Sequence, residues 1–298
     1  MCSVLYHGLM KNCAFLTLDE KGDYVIDDEH AIQPLADLGW RVNTLSWRQK
    51  GIPWKDFDAV VIRSTWDYWD DSSEFLETLA AIDSQTRLAN PLPLVRWNLA
   101  KTYLQDLEDN GVDIVPTLWL GEPETTRIQS CFEHLVLDEL VIKPVIGANG
   151  QDAYRISRTD EPGRLERIVE RFKGKDGMVQ PFMPHILTEG EYSLFYFSGE
   201  LSHTILKKPA ESEFRSQEEH GAEIVAVRPE DLLVQRGRRA IDSVTPGPLY
   251  ARVDFIRDER DDFRVMEMEL IEPSMYLRMD AAAPARFAQA IDTWFSDD

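Results

Sequence analysis

The sequence predicts an α/β fold followed by an α+β fold: an N-terminal open parallel α/β domain and then a larger, two-lobed domain. Strand and helix patterns alternate up to about residue 90, which is typical of a parallel sheet with helical crossovers. Two prolines interrupt the chain at Asn90–Pro93, and after Gly177 tight turns join the strands, which indicates antiparallel pairing. The 298 residues fit this division, since a domain has roughly 100–200 residues.

In the first part, short apolar and β-branched runs predict strands, and apolar residues at helical spacing predict helices. The predicted strands are Cys13–Leu18, Arg41–Leu45 and Asp58–Arg63. The predicted helices are Glu29–Leu38, which Gly39 would end, and Glu74–Ile82. Because helices alternate with the strands in this part, the strands are expected to lie parallel in one sheet.

Between the proline break and Gly177 the same alternation continues. The predicted helices are Arg96–Asn110, which Gly111 would end, Glu124–Leu137 and Leu165–Phe172. The predicted strands are Pro116–Leu120, Glu139–Pro144 and Ala153–Ile156. A glycine-containing loop, Ile146–Gln151, joins the last two strands.

After Gly177 the pattern becomes that of an antiparallel sheet with two helices. The predicted strands are Met178–Phe182, Tyr192–Phe197, Leu201–Lys207, Ile224–Val227, Leu249–Arg257 and Phe263–Ile271. The predicted helices are Pro229–Val244, with a proline at its start, and Pro284–Phe295. The last two strands form a hairpin around the acidic turn Asp258–Asp262.

The charge balance limits the partners. There are 53 Asp and Glu residues against 32 Lys and Arg residues, a net charge of −21, which argues against nucleic acid and anionic membranes as partners. A small anion remains allowed, because a few local cations can hold it. No secretory signal and no long apolar run is visible, so we expect a cytoplasmic protein; the three cysteines are too few for a disulfide framework.

Lys143 ends an apolar strand and is followed by the loop containing Gly147 and Gly150. Glycines allow backbone amides to approach a ligand closely, and Lys143 could add a point charge to a phosphate. The alternative is a surface lysine followed by a mobile hairpin. The loop is not a Walker A motif, because no G-x-x-x-x-G-K-[ST] pattern occurs.

Carboxylates are concentrated on the last strand pair. Glu267 and Glu269 share one face of their strand, and Asp254 would meet that face across the hairpin. Such a cluster is unfavourable without a cation, and carboxylate oxygens suit Mg²⁺. The alternative is a solvated acidic face, but the apolar surroundings and the nearby Arg252 reduce its weight.

Two further regions carry candidate ligands. Arg63, Ser64 and Thr65 follow a parallel strand, where α/β proteins place ligands, and Lys207 and Arg215 lie in a later loop. For each, a surface cation beside abundant acids is the alternative. The histidines and serines show neither a zinc motif nor a hydrolase motif.

Taken in order, several motifs resemble the ATP-grasp superfamily. They are a helix lysine (Lys101), a strand ending in Lys143-Pro144 before a glycine loop, Gln180-Pro181-Phe182, Gly190-Glu191-Tyr192-Ser193, Arg252-x-Asp254 and Glu267-x-Glu269. Nearly the whole chain resembles bacterial glutathione synthetases, with only the ATP-binding half specific, and its Ser-Thr-Trp-Asp-Tyr loop resembles that of ATP-grasp ligases that form D-cycloserine. The resemblance implies a pre-ATP-grasp domain (1–95), a small ATP-grasp lobe with the glycine loop (96–182) and a large lobe with the metal site (183–298).

The resemblance also implies roles for individual residues. ATP would be bound by Lys101, Lys143, Gly147, Asn149, Gly150, Gln151, Gln180, Phe182, Met183 and Glu191. Mg²⁺, with Mn²⁺ as an alternative, would be bound by Asp254, Glu267 and Glu269, the last of which replaces the usual Asn. Catalysis would depend on Arg252 and Lys143. Substrates would be bound by Arg63, Ser64, Thr65, Lys207, Arg215, Glu272 and Ser274.

The implied function is an ATP- and Mg²⁺-dependent carboxylate–amine ligase that releases ADP and phosphate. Its substrates would be a small, amino-acid-like carboxylate and an amine. A small-molecule kinase would use the same ATP site, and a nucleotide-binding regulator without turnover is a third alternative. The resemblance leaves a homo-oligomer open.

Overall fold

The structure, a computed structural model, describes residues 10–22, 24–148, 150–161 and 163–296. The N-terminal domain is a parallel sheet in the order β2-β1-β3-β4. Its elements are β1 (Lys11–Thr17), α1 (Ile32–Asp37), β2 (Trp40–Ser46), β3 (Ala59–Ser64), α2 (Ser72–Asp83) and β4 (Leu88–Ala89). Every residue of β3 is buried, as expected for a parallel strand covered on both faces. The predicted parallel sheet is therefore confirmed.

The middle region forms a second sheet, in the order β5-β8-β6-β7. Its elements are α3 (Leu92–Asn98), α4 (Tyr103–Asp109), β5 (Leu118–Gly121), α5 (Thr125–Leu135), β6 (Glu139–Pro144), β7 (Tyr154–Ser157), α6 (Arg164–Arg171) and β8 (Gly177–Pro181). All pairs in this sheet are antiparallel. Antiparallel pairing therefore begins before Gly177, contrary to the prediction.

The single helix predicted for Arg96–Asn110 is wrong, because the structure has α3 and α4 with a turn between them. The Asn98 carboxamide bonds the backbone of Met268 and Leu270, and the Lys101 amide donates to the Val145 carbonyl. These long-range contacts compete with helical hydrogen bonding, so Lys101 lies in the turn. The domain boundary placed at residue 95 falls inside α3 and stays a prediction.

The C-terminal region is an antiparallel sheet in the order β11-β10-β9-β12-β13, flanked by helices. Its elements are α7 (His185–Thr188), β9 (Glu191–Phe197), β10 (Glu200–Lys208), β11 (Glu223–Ala226), α8 (Asp231–Asp242), β12 (Tyr250–Arg257), β13 (Phe263–Glu269) and α9 (Ala283–Ser296). This agrees with the predicted antiparallel strands and adds α7. Across the described residues, no helix is both long and apolar enough to cross a membrane.

Buried hydrogen bonds join the N-terminal sheet to the C-terminal sheet. The Tyr250 hydroxyl lies 2.6 Å from the Ile62 carbonyl oxygen and 2.8 Å from that of Ile271. The Asn90 carboxamide donates to the Tyr250 and Leu270 carbonyls and accepts from the Leu249 amide. Because these polar groups are removed from water, their loss would leave unsatisfied donors and acceptors. The end of β3 is thereby held beside the segment that follows β13.

Candidate active site

One cleft between the two antiparallel sheets collects most of the predicted site residues. The predicted residues that line it are Lys101, Lys143, Gly147, Gly150, Gln151, Gln180, Phe182, Met183, Glu191, Lys207, Arg215, Arg252, Asp254, Glu267, Glu269, Glu272 and Ser274. Asn149 lies outside the described residues. The structure thus brings together side chains from elements far apart in sequence, while their individual roles stay predictions.

The acidic floor of the cleft is built by the β12–β13 hairpin. Asp254 pairs with Glu267 and Arg252 with Glu269 in the antiparallel register, so the acids converge as the alternation predicted. The Arg252 guanidinium lies 3.0 Å from Asp254 and also contacts Glu269. Burial raises the pKa of Asp254, but Arg252 and Lys207 outweigh it and hold that pKa below its usual value.

Lys207 is the counter-ion beneath this floor. Its side chain is 3% exposed, its ammonium lies 3.5 Å from Asp254, and it also contacts Glu191. Burial alone would lower the pKa of Lys207, but the charges of Asp254 and Glu191 raise it above its usual value. Lys207 therefore stays charged and neutralises part of the buried acid.

The two predicted nucleotide lysines approach the acids from the other lobe. The Lys101 ammonium lies 2.8 Å from Glu267 and 2.6 Å from the Gly147 carbonyl oxygen. Burial lowers the pKa of Lys143, with Glu267 opposing that shift and Lys101 adding to it. An anionic ligand such as a phosphate would oppose this lowering of the Lys143 pKa by supplying a counter-ion.

Two carboxyls of the floor have raised pKa values, because burial and neighbouring acids disfavour their charged form. Burial, opposed by Arg252 and reinforced by Glu267, raises the pKa of Glu269 to about 7. Burial and the nearby Glu269 raise the pKa of Glu272 to about 8. Among the residues that the structure describes, no group of three or more acids, histidines or cysteines has a metal-ligating arrangement. The carboxylates face cations instead, so the metal role stays a prediction.

The glycine loop lies against the segment that contains Arg215. Gly150 has a φ of +63°, and a Cβ added there would lie 3.0 Å from the Gln217 Oε1 and 3.1 Å from the Arg215 Cδ. Glycine is therefore needed both for the left-handed backbone and for the close approach. Arg215 is itself held by Glu213 at 2.6 Å.

The other side of the cleft is an apolar slot. It is lined by Val115, Val141, Phe182, Ile186, Phe214 and Met266, which belong to one hydrophobic cluster. Arg155 covers the outer face of Phe182, with its guanidinium carbon 3.8 Å from the ring centroid. A slot with apolar walls suits a flat aromatic ligand.

Arg63, Ser64 and Thr65, which are predicted to bind substrate, are not among the residues that line the cleft, so that role stays a prediction. Arg63 is 1% exposed and donates to Asp28 at 3.0 Å and to the Pro273 carbonyl at 2.9 Å. These partners hold it beneath the segment that follows β13. Arg63 therefore has a structural role that its position after a strand did not reveal.

Two aromatic residues of the cleft, and Tyr68 beside it, are not among the site residues predicted from the sequence. Trp66 and Tyr276 line it, and the Trp66 indole donates to the Glu272 carbonyl at 2.8 Å. The Tyr68 hydroxyl hydrogen bonds the Glu272 carboxyl. The loop after β3 thus reaches the cleft through Trp66 and Tyr68 rather than through Arg63. The Trp-Asp-Tyr sequence after β3 was the available signal.

Comparison with known proteins decides the family. Residues 13–90 match the model of the D-cycloserine synthetase DcsG, N-terminal domain. The cycloserine biosynthesis protein DcsG of Streptomyces lavendulae is 31% identical over 278 residues, which cover 87% of this chain and 91% of that protein. The chain belongs to the DcsG family. The crystal structure of D-cycloserine synthetase DcsG has a TM-score of 0.85 and 26% identity, covering 96% of this chain and all (100%) of that one.

The fold of this DcsG family member is shared with other ligases. The ATP-grasp ligase PsnB, solved with a phosphomimetic variant of its minimal precursor, Mg and ADP, gives a TM-score of 0.65 at 17% identity over 97% of this chain and 100% of that one. The crystal structure of D-alanine–D-alanine ligase from Bacillus anthracis gives a TM-score of 0.67 at 13% identity, covering 96% of this chain and 97% of that one. These structures share the predicted ATP-grasp fold, and membership of the DcsG family confirms the predicted enzyme class, an ATP-dependent carboxylate–amine ligase.

Proposed function

We propose that this protein activates a small, amino-acid-like carboxylate as an acyl phosphate, joins it to an amine and releases ADP and phosphate. The observation that carries the proposal is that cations and carboxylates face each other around one cleft beside an apolar slot. The cations are Lys101, Lys143, Lys207 and Arg252, and the carboxylates are Asp254, Glu267 and Glu269. The slot would take the adenine, and the charged part would take the phosphates.

In the first step, an oxygen of the substrate carboxylate attacks the γ-phosphorus of ATP. The bond from that phosphorus to the bridging oxygen breaks, and ADP leaves. Because this step brings anions together, cations must neutralise the developing charge, and we expect Lys101 and Lys143, which line the cleft, to do so.

In the second step, the amine nitrogen attacks the carbonyl carbon of the acyl phosphate. The bond from carbon to the phosphate oxygen breaks, phosphate leaves, and the amine gives up a proton. Arg252 lies between the acids of β12 and β13, where it can steady the acyl phosphate. The loop from Gly147 to Gln151 would exclude water, which would otherwise hydrolyse the activated carboxyl.

The donor chemistry of the floor fits a magnesium ion. Asp254, Glu267 and Glu269 supply carboxylate oxygens from two paired strands, and hard cations prefer such ligands. The raised pKa of Glu269 is consistent with acid in excess of the cations present. When bound, Mg²⁺ neutralises charge on the phosphates, and Mn²⁺ would use the same ligands.

The amine substrate, or the ammonium group of the amino-acid substrate, would bind beside Glu272. This carboxyl is 7% exposed, lines the cleft together with Ser274 and has the Tyr68 hydroxyl as a neighbour. No ion pair of Glu272 with a cation occurs among the described residues. A buried acid without a paired cation favours a positively charged ligand group. The relatives named for D-cycloserine support an amino-acid-like substrate.

The test uses the intact protein with ATP, Mg²⁺ and pooled amino acids, with hydroxylamine added to trap acyl phosphate. Hydroxamate together with ADP is the expected result. A phosphorylated product without hydroxamate would support a kinase instead. Absence of ADP formation with every mixture would overturn the proposed turnover.

Two lysine variants distinguish the loss of a cleft lysine from the loss of any lysine. Lys143→Ala should lower hydroxamate formation about 100-fold, the size of effect seen when one charge-stabilising group is lost. Lys173→Ala removes an exposed lysine that is paired only loosely with Glu170, at 3.9 Å, and should leave the rate unchanged. Equal rates for the two variants would contradict the assignment of Lys143.

A further inference from the structure

Gln180 lies at the edge of the apolar slot, and its polar group is oriented by a neighbour. Its side chain is 4% exposed and lines the cleft. On β8 the residue before it, Val179, pairs with Leu118 of β5, so Thr117 lies beside Gln180. The Gln180 Nε2 is 2.9 Å from the Thr117 Oγ1.

A second hydrogen bond fixes the direction of the first. The Thr117 hydroxyl donates to the Val115 carbonyl oxygen at 2.8 Å. A carbonyl can only accept, and a hydroxyl has a single hydrogen, so the Thr117 oxygen can only accept from Gln180. The group of Gln180 that faces Thr117 must therefore be the NH₂ group. Its carboxamide oxygen is left as an acceptor, and no donor from the described residues is seen on it.

We propose that Thr117 is a positioning residue that sets the base specificity of the slot. With the carboxamide held in this orientation, Gln180 offers an acceptor to a base with an exocyclic amino group, as at position 6 of adenine. A 6-oxopurine would place an acceptor against this oxygen and leave both groups without a hydrogen. This inference rests on the proposed use of a nucleotide in the cleft.

The test compares ADP with inosine diphosphate (IDP), which differs from it by the 6-oxo group. Binding of each, with Mg²⁺, is measured by calorimetry in the wild-type protein, Thr117→Val and Thr117→Ser. The wild-type protein should bind ADP at least about 10-fold more tightly, as expected for one mismatched buried hydrogen bond. In Thr117→Val the amide is free to rotate and donate to the 6-oxo group, so the ratio should fall toward one. Thr117→Ser keeps the hydroxyl and should keep the ratio.

A double variant tests whether the preference for ADP can be restored. Gln180→Glu, added to Thr117→Val, supplies a side chain that accepts in either orientation and should restore the preference for ADP. Equal wild-type binding of the two nucleotides would overturn the inference without needing any variant. An unchanged ratio in Thr117→Val, or an equal loss in Thr117→Ser, would also overturn it.

This measurement is independent of the ligase reaction, because no carboxylate or amine is present. A preference for ADP without any ligation product would leave the inference standing and sink the proposed function. Ligation together with equal binding of ADP and IDP would overturn the inference and support the proposed function. Absence of binding of either nucleotide would overturn both.

Discussion

The Lys101 ammonium lies 2.8 Å from the Glu267 carboxylate while it donates to the Gly147 carbonyl. One lysine thus joins the turn between α3 and α4, the glycine loop and the acidic floor. Each of these is expected to contact a different part of bound Mg²⁺–ATP. Binding must therefore exchange the lysine–glutamate pair for lysine–phosphate and glutamate–metal contacts.

The first prediction concerns this exchange. Glu267→Gln should raise the Mg²⁺ concentration needed for half-maximal activity and lower kcat about 100-fold, because a charged metal ligand is lost. The measurement is a Mg²⁺ titration of ADP formation at saturating ATP. Glu259→Gln makes the same change on the exposed turn of the same hairpin and should alter neither quantity. An unchanged Mg²⁺ requirement in Glu267→Gln would remove Glu267 from the metal site.

The second prediction concerns the glycine loop. Gly150→Ala should lower the yield of ligated product per ADP formed, because the added Cβ meets Gln217 and Arg215 and hinders closure. Gly174→Ala is the control, since Gly174 also has a positive φ of +71° but no atom within 4 Å of an added Cβ. If both variants lose coupling equally, backbone strain rather than loop closure is the cause.

Local patterns predicted much of the site. The run Glu-Leu-Val-Ile-Lys-Pro matches β6, Glu139–Pro144, at both ends. Alternation along the last two strands predicted that Asp254 meets the face of Glu267 and Glu269, and the register pairs Asp254 with Glu267. Both features depend on neighbours in the chain or on one hairpin, which is why they can be read from sequence.

The errors arise where partners are distant in sequence. The turn at Lys101 depends on Val145 and on β13, and helical spacing alone does not reveal this. Arg63 follows a parallel strand as many ligand-binding residues do, but its partner Pro273 is 210 residues away. Such contacts depend on how the two sheets pack, and no local pattern encodes that.

The buried position of Arg63 gives the third prediction. Arg63→Lys should lower the free energy of unfolding by about 3 kcal/mol, because it disrupts the buried hydrogen bonds of the guanidinium to Asp28 and to the Pro273 carbonyl. The Kd for ADP should not change in the folded fraction. Arg41→Lys, on the exposed part of β2, is the control for denaturant unfolding. If Arg63→Lys instead lost nucleotide or substrate binding at unchanged stability, the result would support a ligand-binding role for Arg63.

The fourth prediction concerns the pH dependence of stability. Because burial and Glu269 raise the pKa of Glu272 to about 8 from its usual 4.5, the folded protein keeps a proton that the unfolded chain loses. The folded state then binds more protons between about pH 5 and pH 8, so the free energy of unfolding falls as pH rises through that range. The slope from one such proton is at most about 1.4 kcal/mol per pH unit.

Glu272→Gln should remove this part of the slope, and the variant should be more stable than the wild-type protein at pH 8. The groups that act on Glu272 are Glu269, Glu267, Tyr68 and Lys101, so some slope from Glu269 should remain. Denaturant unfolding at pH 5, 6.5 and 8 measures the effect, with the exposed Glu77→Gln as the matched control. If the free energy of unfolding changes with pH in the same way in Glu272→Gln and in the wild-type protein, Glu272 is already ionised in the folded protein. A cation near it would then have to be present before any substrate binds.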